Sequence, residues 1–87
     1  MDINSRRGTQ DDWKNHLSAW ANTAYTPANI FHNVFGVGPS ITLLRALNAN
    51  GGGENALLRH ASAAILNASD PDIDYPLTVP QVIAIVV

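Results

Sequence analysis

The chain has 87 residues, 46% hydrophobic and 14% charged, with five basic against seven acidic side chains, a net charge of -2 and no cysteine. That length allows one small domain burying about 60% of its unfolded surface, and the apolar share marks a packed globule, not a disordered segment. The charge balance offers no stripe for a phosphate backbone and no polybasic face for anionic lipid, so neither nucleic acid nor membrane is an expected partner; disulfides, thiolate zinc sites and cysteine nucleophiles are excluded outright.

The opening Met1-Asp2-Ile3-Asn4-Ser5-Arg6-Arg7 lacks the apolar run of a signal peptide, and no stretch reaches the length of a membrane span. Residues 1–8 read as a flexible leader and residues 9–87 as a single helical domain. Thr9 can cap a first helix, with Asp11 and Asp12 in the turn where the positive helix end favours carboxylates. Trp13, Leu17 and Trp20 then recur at spacings of four and three, which places all three on one core-facing stripe. His16 lies at the edge of that stripe, and Lys14 and Asn15 point away from it.

Thr26-Pro27 is a second start signal, a capping hydroxyl before a proline at the first helical position. The short helix expected there carries Ile30, Phe31, Val34 and Phe35 inward and stops at Gly36, with Gly38-Pro39 opposing its continuation. Ser40 or Thr42 starts another short helix through Leu43, Leu44, Ala46 and Leu47, which Asn48-Ala49-Asn50-Gly51-Gly52-Gly53 ends. The longest helix runs over residues 54–67, with Leu57, Ala61, Ala64, Ile65 and Ala68 on one face and Leu58 and Leu66 off it. Apolar side chains on several sides make it the central helix. Its alanines admit a close neighbour, so a large side chain at position 61 or 64 is expected to cost about 1–3 kcal/mol by overpacking.

Asp70-Pro71-Asp72-Ile73-Asp74-Tyr75-Pro76 is an acidic, proline-punctuated loop, and Thr78 with Gln81 forms a capping-box pattern for a last helix that tolerates Pro80 in its first turn. The ending Val82-Ile83-Ala84-Ile85-Val86-Val87 is apolar around the helical circumference and rich in β-branched residues. It suits a buried terminal helix, or else a strand or intermolecular contact. If more chain follows in the natural domain, this end is adhesive and can drive dimerisation. The fold class expected is all-α, a small single domain of four to five short helices around the central one.

Trp13-Lys14-Asn15-His16 with Trp20, Val34-Phe35-Gly36-Val37, Gly51-Gly52-Gly53-Glu54-Asn55-Ala56-Leu57-Leu58-Arg59-His60-Ala61 and Asp70-Pro71-Asp72-Ile73-Asp74-Tyr75-Pro76-Leu77-Thr78-Val79 occur in a distinctive order. Together they resemble an uncharacterised module of secreted and surface proteins of bacteria and archaea, which typically opens with Cys-Thr-Pro-Gly-Tyr-Trp-Lys-Asn-His. The resemblance spans residues 12–87, and Gly8-Thr9-Gln10-Asp11-Asp12 stands where the cysteine, proline and glycine would be. Any attachment or cross-link through that cysteine is therefore absent here. The family carries no catalytic residues to transfer; the resemblance implies an extracellular or cell-surface accessory module within a larger exported protein.

Three histidines, His16, His32 and His60, are the only nitrogen ligands, and each falls on a different expected helix. Brought together, they and Asp12 or Glu54 would make a metal site, yet no short ligand motif requires it. Asp12 and His16, four apart, read more simply as a surface pair, and His60 as a hydrogen-bonded structural histidine beside the inward stripe. Asp70, Asp72 and Asp74 alternate like the first ligands of a calcium loop, but Tyr75 and Gln81 occupy the positions where that loop needs glycine and glutamate. They read as turn residues. The triple glycine lacks the lysine of a phosphate loop and reads as a helix-to-helix turn, with Asn55 and Asn15 as amides that tie turns together. Ser5, Ser18, Ser40, Ser62 and Ser69 occupy no nucleophile-elbow context. Exposed parts of Trp13 or Trp20 would suit a sugar or peptide, although indoles at this spacing serve a core more often.

The functional expectation is a non-enzymatic structural or interaction module without a cofactor, partnered by protein or by a second copy through residues 82–87. The alternative is a small metal- or ligand-binding module using the histidines and the 70–74 loop. On either reading, Trp13, Asn15, His16, Trp20, Asn55 and His60 form the domain's structural motif.

Overall fold

The structure is a computed structural model that describes residues 9–87; the expected leader, residues 1–8, lies outside the described residues. Thr9 caps α1 (Gln10–Asn15), its hydroxyl accepting from the Asp12 N–H at 3.0 Å. The helix ends where His16 adopts φ -131°, ψ 69°, and the chain continues as a 3-10 helix over Leu17–Asn22. In an unbroken helix the Trp13 carbonyl would pair with the N–H of Leu17. It accepts the Trp20 indole N–H instead, at 2.9 Å. The two indoles then meet edge to face, centroids 6.1 Å apart at 82°, an arrangement their quadrupoles favour. The single stripe expected of Trp13, Leu17 and Trp20 is thereby corrected: both tryptophans are buried, but the break turns Leu17 outward, 45% exposed.

Thr26-Pro27 does not start a helix. Asn29 Oδ1 accepts the Thr26 N–H at 2.7 Å and closes a turn, while Ile30 is extended and bridges Thr42 in antiparallel fashion. The bonds Phe31 N to Ile41 O (2.7 Å) and Leu43 N to Asn29 O (2.8 Å) fix that bridge, and they delay α2 to Phe31–Phe35. Phe31 and Phe35 are buried, whereas Ile30 and Val34 are only half-buried. Gly36 closes α2 in the left-handed region (φ 78°) that glycine tolerates. Gly38 has a steric reason as well: a Cβ there would lie 2.7 Å from Phe31 Cε1.

Thr42, not Ser40, caps α3 (Leu43–Leu47), accepting from the Arg45 N–H at 3.1 Å. Leu43, Ala46 and Leu47 are fully buried. After the glycine turn α4 spans Glu54–Ser69, and α1, α3 and α5 all pack on it. Its inward residues are Leu58, Ala61, Ser62, Ala63, Ile65 and Leu66. Leu58 and Leu66 thus belong to the core, and Leu57, expected inside, is 51% exposed. Three partners wrap about the helix, so no single stripe describes it.

Asp70 is buried and turns the chain, its Oδ1 accepting the Asp72 N–H at 2.8 Å. α5 (Val79–Val86) carries the reciprocal capping box of Thr78 and Gln81 with proline in its first turn. The terminal apolar run is therefore helical. Val82 is its buried anchor, while Ile85 and Val87 are each 69% exposed. Among the described residues the domain is all-α, five α-helices and one 3-10 helix with no strand.

Candidate functional site

The tryptophan-containing segment is built into the scaffold. Trp13 Nε1 donates to Asn67 Oδ1 at 2.9 Å, joining α1 to the last turn of α4 across 54 residues of sequence. Ser69 Oγ, two residues on, accepts the Ala24 N–H at 2.8 Å and holds the end of the 3-10 segment. Both indole N–H groups are thus spent on protein acceptors, which leaves neither for a ligand. Asn67 takes the tying role that sequence reasoning assigned to Asn15, and Asn15 is exposed.

His16 is exposed at the edge of α1, its Nδ1 lying 3.2 Å from the Asp12 carbonyl and 3.3 Å from Asp12 Oδ1. This is the surface couple anticipated from the i,i+4 spacing. Beside it Lys14 pairs with Asp11 at 3.3 Å. Exposed pairs of this kind contribute at most about 1 kcal/mol each. His32 Nδ1 donates to the Gly38 carbonyl at 2.7 Å and staples the α2 exit. His60 is exposed, contrary to the expectation of a hydrogen-bonded structural histidine. The three imidazoles do not converge: among the described residues no three histidine, aspartate or glutamate side chains come close enough to share a metal ion.

The acidic loop is likewise committed to local structure. Asp70 forms the turn just described, and Asp72 and Asp74 face solvent. At the glycine turn Asn55 Nδ2 donates to the Asn50 carbonyl at 2.7 Å. The larger part is played by Arg59, unremarked in the sequence, whose Nη1 donates to the carbonyls of Ala49 and Gly51, both at 2.8 Å. A guanidinium can bind several carbonyls at once because its donors form a rigid fork. An arginine one and a half turns into a helix that follows a run of unpaired loop carbonyls was the available signal. Of the serines, Ser62 is buried without a hydrogen-bond partner and Ser69 is engaged with Ala24, while Ser5 lies outside the described residues.

An apolar groove of about 280 Å³ lies open between α4 and α5, lined by Leu57, His60, Ala61, Ala64, Tyr75, Leu77, Val82, Ile85 and Val86. It exists because α5 crosses the alanine face of α4, where small side chains leave a floor, while Leu57 and Ile85 stand as walls. Its lining is apolar apart from the imidazole and the phenol. A shallower hollow of about 480 Å³ beside Tyr25, Asn29 and Asn33 carries no charged group. Burial there raises the Tyr25 phenol above its ordinary value. No helix among the described residues is long and apolar enough to cross a membrane. Comparison with known proteins finds no matching family model, no matching curated protein and no matching solved structure.

Proposed function

We propose that this domain is a non-enzymatic structural or interaction module whose working surface is the α4–α5 groove, and whose partner is a protein or a second copy of the chain engaging residues 82–87. The observation that carries this reading is the division of labour among side chains. The indoles, Asn55, Asn67, Arg59 and Asp70 hold the fold, and of the four exposed large apolar residues, Leu57 and Ile85 line the groove and Val87 follows Val86 of its wall, while Leu17 alone lies on another element. Exposed apolar groups gathered on one face favour protein contact, because association removes them from water. The resemblance of the tryptophan, glycine-rich and acidic segments to a surface-protein module supports an extracellular setting within a larger exported protein.

Light scattering across concentration tests it. The parent chain is expected to gain mass with concentration, and Ile85→Lys to stay monomeric with an unchanged melting temperature, since residue 85 faces solvent in the single chain and a cation suits the last turn of α5. A parent that remains strictly monomeric would remove self-association and leave only a foreign protein as partner. Equal association by parent and variant would show that the face is misassigned.

A further inference from the structure

The glycine turn between α3 and α4 holds reacting groups that the proposed interaction does not use. Of the nine asparagines, only Asn50 precedes a glycine. Both residues are exposed, and Gly51 adopts φ 95°. Among the described residues neither the Asn50 side-chain amide nor the Gly51 N–H makes a hydrogen bond, although the Asn50 carbonyl does. A glycine nitrogen carries no Cβ beside it to obstruct approach to the preceding side chain.

We propose that Asn50 is a site of spontaneous covalent modification. The Gly51 nitrogen, after losing its proton to solvent base, bonds to Asn50 Cγ; the Cγ–Nδ2 bond breaks and ammonia leaves. Water then opens the succinimide at either carbonyl, giving aspartate or isoaspartate, with no redox change.

The surroundings treat the two products differently. Aspartate keeps the backbone length and places its carboxylate in the hollow shared with Arg45, Asn48 and Asn55, a cationic neighbourhood. Isoaspartate lengthens the main chain by one carbon between the Ala49 and Gly51 carbonyls, both of which Arg59 Nη1 holds at 2.8 Å. That grip fixes their separation, so the isoaspartate form loses at least one of the two bonds and melts at a lower temperature.

The experiment ages the folded chain at mildly alkaline pH, maps peptides by mass and labels isoaspartate with its specific methyltransferase, alongside chain unfolded in urea and Asn50→Gln. The expected result is replacement of NH₂ by OH at Asn50 first among the asparagines, faster at higher pH, absent from Asn50→Gln, and within an order of magnitude of the unfolded rate. Asn50→Asp is expected to melt with the parent and the purified isoaspartate form below both. Conversion first at another asparagine, or protection of Asn50 by more than an order of magnitude in the folded chain, overturns the site. Equal melting of the isoaspartate form overturns the role given to Arg59.

Discussion

Replacing Asn67 by alanine removes the bond that ties α1 to the central helix. Trp13 is 2% exposed, so its indole N–H, deprived of Asn67 Oδ1 at 2.9 Å, loses the acceptor it holds in a part-buried bond. A buried donor left without an acceptor costs about 1–3 kcal/mol. For a domain of this size that corresponds to a fall in melting temperature of about 4–24 °C. Urea unfolding followed by tryptophan emission reads it directly, because Trp13 and Trp20 both pass from the core to solvent. A double-mutant cycle with Trp13→Phe separates the bond from other losses at Asn67: phenylalanine has no N–H to orphan, so the second substitution should cost less in that background by about 0.5–3 kcal/mol. Additive single effects, or a loss from Asn67→Ala below about 0.5 kcal/mol, would refute the linchpin role of this bond.

Ser62→Ala removes a fully buried hydroxyl that lacks a partner, and a gain of about 1 kcal/mol is expected in the same urea assay. Gly38→Ala forces a Cβ to within 2.7 Å of Phe31 Cε1 at φ 88°, so a loss of about 1–3 kcal/mol is expected, with a perturbed Phe31 ring in the NMR spectrum. Tyr25 is an acid whose folded pKa is raised by burial. The folded state therefore holds its proton more tightly than the unfolded chain, and stability falls as pH rises from the unfolded pKa of about 10 through the higher folded one. Tyr25→Phe should remove that alkaline loss in thermal melts, leaving the melting temperature at neutral pH nearly unchanged.

The parts of the fold that local chemistry dictates were legible in the sequence. The Thr9 and Thr42 caps, the Gly36 stop, the Thr78–Gln81 box and the glycine turn each depend on residues within one turn of one another. Periodicity misled where a distant or competing bond intervened. The Leu17 phase error follows from the Trp20 indole taking the Trp13 carbonyl, and the late start of α2 from the pairing of residues 29–31 with 41–43. Asn67 and Arg59 were missed because their partners are fixed by tertiary geometry. His60 was misplaced for a related reason: α5 leaves the groove at its side open, and a helical wheel does not show where a neighbour stops.

The bond between Trp13 and Asn67 also has a kinetic meaning. It closes a loop of 54 residues, whereas α3, the glycine turn and α4 form an adjacent hairpin clamped by Arg59. Loop closure favours the short connection first. The α3–α4 hairpin should therefore nucleate folding, with α1 joining after the rate-limiting step. Stopped-flow measurements on Asn67→Ala should then show faster unfolding with little change in the folding rate, and Arg59→Met the opposite. In that order of events the indole acts as a latch on dissociation: it governs how long the domain survives once folded, while the glycine turn governs how quickly it forms.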